Sequence, residues 1–572
     1  MKGHTQDKQY LHNLYTDKFV YISSISSSQQ PVENEKIFGY RGISFQFAGT
    51  GFRVPEQMVL YVWVPEEFLS GGYPVLDYRT AYEDWLLRLL AEPVNVLSEE
   101  LQNDKKDFRE KPNFSMQIPG AAVQSRNGCL YMEDRKAFCL RINYHFPLIN
   151  GKNVNGKSSY KGVKLLLDAI CDCLEQADTA SLQKHILTYV RQLEIRRFIK
   201  EKNLLAFVAN GSILPRQGDT NVPMQGAVPF QTPPELQVEI PMPDGNIMVG
   251  MGIKKGITII TGGGYSGKST LLDALEQGIY FHVEGDGREY AVSDETACKI
   301  YAEDGRNIQS MDISPFFSYM PGKDPHNFQT LHASGSVSQA ANIIEAVYGG
   351  STCLLIDEDT SATNFMIRDE GMRELVKKEP IIPYTDRIEE LKEMGISTIL
   401  VIGGSSEYLK YGDCILLLED YHIYDRTNQV RQSNMVLGKT EHLAVSKESH
   451  SWMQQKFLPD LAQKKEFFYS KCVQIENARY IKIDDYVADV TKITAVAEEG
   501  QMNSLTWLLE KLFMEEGNSD TDLKERCRKA VKELFSGTFD TVLSSHVHRY
   551  GLWLEQIRSL DLVMAVSRMR NL

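Results

Sequence analysis

The stretch ITIITGGGYSGKST, Ile257 to Thr270, limits what this chain can fold into more than any other. Its apolar, β-branched start predicts a strand ending near Thr261. Eight residues, Gly262, Gly263, Gly264, Tyr265, Ser266, Gly267, Lys268 and Ser269, then fit the spacing G-x-x-x-x-G-K-[ST]. The glycines let the backbone curl until its N–H groups point inward at phosphate oxygens. Lys268 supplies a point charge to the β and γ phosphates, and the Ser269 hydroxyl can ligate Mg²⁺. The helix predicted over KSTLLDALEQG aims its N-terminal dipole at the same anion. A strand, this loop and a helix in succession predict an α/β domain that holds a phosphate chain.

A second run, STCLLIDEDTSATNFM from Ser351, supports the first. Four apolar residues, Cys353 to Ile356, lead to Asp357, Glu358 and Asp359. A buried strand ending in a carboxylate is how phosphate-loop enzymes hold Mg²⁺, so Asp357 is the expected metal residue. Glu358 is expected to point toward the γ-phosphate and polarise the attacking water. Such acidic clusters are more often solvated turns, but this one follows Lys268 by 89 residues (268 to 357). A third run, HASGSVSQAANIIEAVYGG, places Ser334, Gly335 and Ser336 at the start of an apolar-periodic helix. N–H groups at a helix start make an anion site; an ordinary serine N-cap is the alternative.

In order along the chain stand LLAFVANGSILPR, GMGIKKGITIITGGGYSGKSTLLDALE, GDGREY, AEDGRNIQSMDISPFF, ASGSVSQAANIIEA, LLIDEDTSATNFMIRD and STILVIGGSSEYL. Together they closely resemble the soluble proteins described as predicted ATPases of the ATP-binding-cassette (ABC) class, most strongly over about residues 204–425. The resemblance weakens through the C-terminal helices and is poor over the first 120 residues. It implies a fold: an α/β P-loop NTPase core of ABC-ATPase type with an α+β N-terminal domain and a mostly helical C-terminal region. It also implies Mg-ATP as ligand. By position, Gly262 to Thr270 are the phosphate loop. Ser334, Gly335 and Ser336 stand for the Leu-Ser-Gly-Gly-Gln signature that contacts the γ-phosphate of a second subunit. Asp357 and Glu358 serve Mg²⁺ and water, and Ser361 to Asn364 fall where the loop crossing the dimer interface lies.

Some positions depart from the pattern. ABC ATPases place a γ-phosphate histidine after the next strand, whereas VIGGSSEY offers Ser405 and Ser406, which cannot carry a positive charge. Arg288 and Arg306 are the candidates for the missing charge, with surface ion pairs as the competing reading. Gln309 is a candidate γ-phosphate sensor. Ser266 stands where many family members have histidine. Phe230 is the candidate for stacking adenine. No Asn-Lys-x-Asp sequence signals guanine.

One chain holds one phosphate loop and one signature, so two complete sites require two copies related by a two-fold axis. ATP would join them, and closure would follow the nucleotide. The 572 residues suggest about three or four domains: a flexible lead-in over 1–35, an α+β domain over 36–203, the ATPase core over 204–430 and a mostly helical region over 431–572. The net charge of −14 argues against a protein coated in nucleic acid, though not against a local basic groove. Nine cysteines without a C-x-x-C pair read as reduced thiols of a cytoplasmic protein. No signal segment and no run of about 18 apolar residues is found, so no membrane partner is expected. Soluble ABC ATPases often act on nucleic acids or ribosomes, so the resemblance implies single-stranded or structured nucleic acid as the substrate of closure. Local support comes from the basic runs RQLEIRRFIKEKN and KERCRKAVK and from the aromatics Tyr40, Phe45, Phe47, Tyr61 and Trp63, which could stack bases. Solvated helix faces and core packing are the simpler readings of both. A nucleotide-gated scaffold with negligible hydrolysis and a phosphotransferase are the other functional classes.

Overall fold

A computed structural model describes residues 37–49, 57–103, 111–149, 153–154, 156–218, 220–433, 473–476, 480–483, 486–514, 522–536 and 552–570. The expected lead-in over 1–35 lies outside them. The described residues form two compact units, each assembled from separate stretches. The first takes those up to Tyr189 with Glu498–Ser504 and Glu533–Gln556; the second takes Val190–Ala497, Leu505–Lys532 and Ile557 onward.

The first unit is built on an antiparallel sheet ordered Phe38–Tyr40, Ile43–Gly49, Gln57–Pro65, Ala137–His145 and Asn113–Ser115, with Cys129–Met132 also paired to Ala137–His145. Alternation along Gln57–Pro65 sends Leu60, Val62 and Val64 to one face, fully buried, and Val59, Tyr61 and Trp63 to the other. That second face is buried too, its residues clustering with the neighbouring-strand side chains Ala137 and Cys139 and, one strand on, Leu130 and Met132. Tyr40, Phe45, Phe47, Tyr61 and Trp63 are therefore core residues, 0–7% exposed, which corrects their expected role in stacking bases.

The second unit contains a sheet ordered Ala297–Ile300, Cys353–Asp357, Ser397–Val401, Ile257–Gly262, Cys414–Glu419 and His422–Asp425. The first five strands run parallel and the last is antiparallel. Continuous apolar runs such as CLLI suit a sheet buried on both faces. Leu271, Leu272, Ala274 and Leu275 of the helix Lys268–Gln277 pack on its core with Ile260, Leu355, Val401 and Leu416. A separate antiparallel sheet runs Gln237–Pro241, Ile247–Lys254, Leu204–Ala209, Ala291–Ser293.

The C-terminal stretch adds a small sheet to the helices expected there. Val473–Glu476, Tyr480–Ile483, Tyr486–Asp489 and Met569–Arg570 form an antiparallel sheet. Helices Glu499–Met514, Leu523–Ser536 and Ser559–Ser567 accompany it, and the stretch is divided between the two units. These strands are only two to four residues long, too short for their alternation to announce them.

Candidate active site

The phosphate-loop strand Ile257–Gly262 ends the parallel sheet's centre, and the loop turns out of its C-terminal edge, where ligands of such sheets bind. Gly262 has φ +149°, and a Cβ there would collide with the Leu418 carbonyl. Gly267, at φ +98°, is the N-cap of the helix that follows; both positions require glycine. Gly263 and Gly264 have open space where a side chain would be. Lys268 Nζ donates to the carbonyls of Gly262 (2.9 Å) and Gly263 (2.8 Å), so its ammonium already crosses the loop mouth. Ser266 Oγ is buried in the loop without a hydrogen-bond partner among the described residues. Tyr265 holds φ +60° with its ring 99% exposed. Thr270 lies in the first turn, and Leu271 donates to Gly267 O (3.0 Å). The amides of Lys268, Ser269 and Thr270 come before that first helical bond and are left for an anion.

Ser269 Oγ donates to Asp357 Oδ2 at 3.0 Å. The other oxygen of Asp357 accepts from the Asp359 amide (3.1 Å), which fixes the carboxylate at its strand end. Glu358 turns elsewhere. Its Oε2 accepts two backbone N–H groups, from Gly403 (2.8 Å) and Gly404 (3.1 Å), in the loop after Ser397–Val401. That is the loop from which the expected histidine is missing. Ser405 is occupied there, accepting from the Glu407 amide (3.2 Å), while Ser406 is exposed. Burial, and then the Glu358 charge, push the Tyr408 phenol up, so it stays protonated beneath the carboxylate.

Ser334 is the N-cap of the signature helix Gly335–Gly349, but its hydroxyl makes no capping bond and is exposed. The helix start is held by other means. Ser338 Oγ donates to Gly335 O (2.9 Å) and accepts from the Glu303 amide (2.8 Å), and Gly305 and Arg306 bracket Ala333 through backbone bonds (both 2.8 Å). Ser336 is half-buried beside them.

Sequence reasoning missed Gln339, one turn beyond Gly335. Its side chain donates to Ser361 Oγ (2.9 Å) and accepts from the Ala362 amide (2.8 Å), and Ser361 Oγ donates to the Asp357 carbonyl (2.8 Å). The signature helix is thus tied to the acidic loop of its own chain. A Cβ on Gly335 would stand 3.6 Å from Ala362 Cβ, a second point of contact between the two. The available signal was the stripe Ser338, Gln339, Asn342, Glu345 in an otherwise apolar helix.

Three expectations fail here. Arg288 is buried and donates to Leu214 O (2.7 Å) and Gln277 Oε1 (3.0 Å); burial, then neighbouring Arg216, bring its guanidinium down to about 10. Arg306 is buried against Asn342 and Glu345. Neither can replace the histidine. Phe230 lies in the hydrophobic core with Leu205, Leu214 and Met251 and cannot stack adenine. Gln309 sits half-buried on the strand Ile308–Met311. The arginines of the basic run after Val190 have partners, while Lys200 and Lys202 are exposed. Arg191 binds Asp244, Arg196 donates to the carbonyls of Gly278 (2.9 Å) and Ile279 (2.8 Å), and Arg197 faces Glu194 (2.6 Å). No helix among the described residues is long and apolar enough to cross a membrane.

Residues 178–455 match the family described as ABC_ATPase, P-loop domain. Over 251 residues the chain is 32% identical to an uncharacterized protein, MJ1628, of Methanocaldococcus jannaschii, covering 41% of this chain and 54% of that one. The chain thus spans about half of that relative's length. Among solved structures it is similar to the ADP conformation of MJ1267, an ATP-binding cassette of an ABC transporter. That similarity has 12% identity, 41% of this chain, 96% of the other and a TM-score of 0.25. It is also similar to cbiO1 from Clostridium perfringens, part of the ABC transporter complex cbiONQ, with 16% identity, 41% and 93% coverage and a TM-score of 0.25. Scores this low carry no weight for fold or function.

Proposed function

With residues 178–455 forming an ABC_ATPase P-loop domain, we propose that this chain binds and hydrolyses Mg-ATP between two copies of itself. The observation that carries the reading is the Ser269 hydroxyl on Asp357 at 3.0 Å, at the mouth of an open glycine loop. Those two residues would hold Mg²⁺, which would supply positive charge to neutralise the phosphates. The free amides and Lys268 bind and orient the triphosphate. Glu358, held through Oε2, keeps Oε1 to accept a proton from the attacking water. Ser334 and the amides of Gly335 and Ser336 face the γ-phosphate on the partner copy. Arg288 and Arg306 do not replace the switch histidine, so the signature and Lys268 carry the charge balance, and turnover is slow.

On this reading the region before the core is an α+β domain over 36–203, the core covers 204–430 and the remainder follows from 431. The eight described cysteines are free thiols, as a cytoplasmic location requires. Closure is proposed to act on nucleic acid, RNA or DNA, now through the exposed Arg528, Lys529 and Lys532 of the helix Leu523–Ser536.

The test is Glu358→Gln at saturating ATP with light scattering. A stable two-copy species is expected, with hydrolysis reduced by about 100-fold or more, and Ser334→Arg should abolish the dimer while nucleotide binding remains. A chain that stays single with ATP bound would remove the shared site. Steady-state turnover with and without single-stranded RNA and DNA tests the cargo.

A further inference from the structure

Burial of Phe230 leaves the nucleobase without its expected aromatic partner, and a different tyrosine stands beside the loop. We propose that Tyr421, in the turn between Cys414–Glu419 and His422–Asp425, is the stacking platform for the base of the bound nucleotide. The inference rests on the nucleotide reading above and deepens it.

Sheet order sets the direction of the ligand. The phosphate-loop strand lies between Ser397–Val401 and Cys414–Glu419. Asp357 lies beyond the first of these, and Glu358 is held by the loop that follows it. The metal-bearing, γ-phosphate end of a triphosphate therefore belongs on that side, and the nucleoside must leave on the other. On the other side Gly262 pairs with Leu418, and the hairpin turn comes three residues later. Tyr421 Cδ1 stands 3.7 Å from where a Cβ on Gly267 would be, so its ring flanks the residue that opens the phosphate-binding helix.

The turn itself is costly. Asp420 (φ +48°) and Tyr421 (φ +64°) are consecutive non-glycine residues in the left-handed region. Two-residue turns of this kind favour Asn-Gly, and a bulky aromatic at positive φ is a true outlier. Strained residues gather at ligand sites. Nothing within the protein repays this one: the ring is 61% exposed, and no hydrogen bond or ring contact joins its side chain to another described residue. A flat face beside a phosphate cradle suits a purine, since stacking needs a π-face and no particular edge.

The experiment measures equilibrium binding of ATP and of inorganic tripolyphosphate to wild type, Tyr421→Ala, Tyr421→Trp, Tyr421→Gly, Tyr265→Ala and Lys268→Ala, with a thermal melt of each. Tyr421→Ala is expected to weaken ATP about tenfold, the order that base stacking supplies, with tripolyphosphate unchanged. Tyr421→Trp should bind ATP at least as well as wild type. Tyr421→Gly should lose the same affinity yet melt higher, because glycine accepts the positive φ. ATP binding unaltered in Tyr421→Ala but lost in Lys268→Ala would overturn the platform and leave the phosphate loop standing. So would an equal loss of ATP and tripolyphosphate, or a loss in Tyr265→Ala alone. Binding that survives Lys268→Ala would overturn both.

Discussion

Two neighbouring carboxylates, Asp357 and Glu358, point to different places because different backbone amides hold them. Asp357 is clasped by the residue two positions on and by Ser269, whereas Glu358 is drawn to Gly403 and Gly404. Another acid, Glu83, is governed by burial instead. It lies inside the first unit, accepting from the Tyr131 amide (2.8 Å). Burial pushes its carboxyl up to about 8, against the pull of that amide and of Arg79. The folded chain keeps this proton where the unfolded chain has released it. The stabilisation is therefore present below the ordinary carboxylate range and is lost as pH rises from there through about 8. Glu83→Gln keeps the acceptor and removes the charge. In melts at about pH 4 it should match wild type, and at about pH 8.5 it should unfold about 3 °C or more higher. Equal melting temperatures at both values would show that the carboxyl is not held neutral.

The signature helix shows what an element adds beyond its motif. Every residue from Val337 to Tyr348 is buried, so its polar stripe has to be satisfied inside the protein. Gln339 meets the acidic loop. Asn342 donates to Tyr301 O and Glu303 (both 2.8 Å), and Glu345 accepts from Arg568 (3.1 Å) as well as Arg306. Gln339→Ala leaves the phosphate loop untouched but unties the loop bearing Asp357 and Glu358. The expected result is unchanged ATP affinity with kcat about tenfold lower, the split of a positioning residue. An affinity loss of the same size in equilibrium binding would count against it.

These elements also mark how far sequence reasoning reaches. The strand, loop and helix from Ile257 to Gln277 were legible because their signals are contiguous: β-branched residues, glycines, then apolar spacing. The acidic strand was legible for the same reason. Arg288 and Arg306 were misread because a turn sequence does not reveal burial, and their partners lie at Leu214 and on the signature helix. Gln339 was missed because its partners come 22 and 23 residues later (339 to 361 and 362), and Tyr421 because nothing local ties a hairpin turn to Gly267.

At the scale of the whole molecule, Glu555 shows how the first unit is closed. It pairs with Arg126 at 3.1 Å and accepts from Gln117 (3.1 Å) and Gln124 (2.7 Å), while Arg126 also binds Asp84. Removing Glu555 leaves Arg126 with Asp84 alone and Gln117 and Gln124 without their acceptor, at a cost of about 3 kcal/mol. Glu555→Ala should lower the midpoint of denaturant unfolding accordingly, and a shift under about 0.5 kcal/mol would place it among ordinary surface changes.

That pairing has a bearing on how the protein is made. A ribosome releases Arg126 into water 429 codons before it supplies Glu555 (126 to 555). Across that interval Arg126 has Asp84 as its acidic partner but lacks Glu555, and the buried cluster of the first unit stays incomplete. Closure of that unit is consequently postponed until codon 555 has been read, long after the strands of its own sheet have been made.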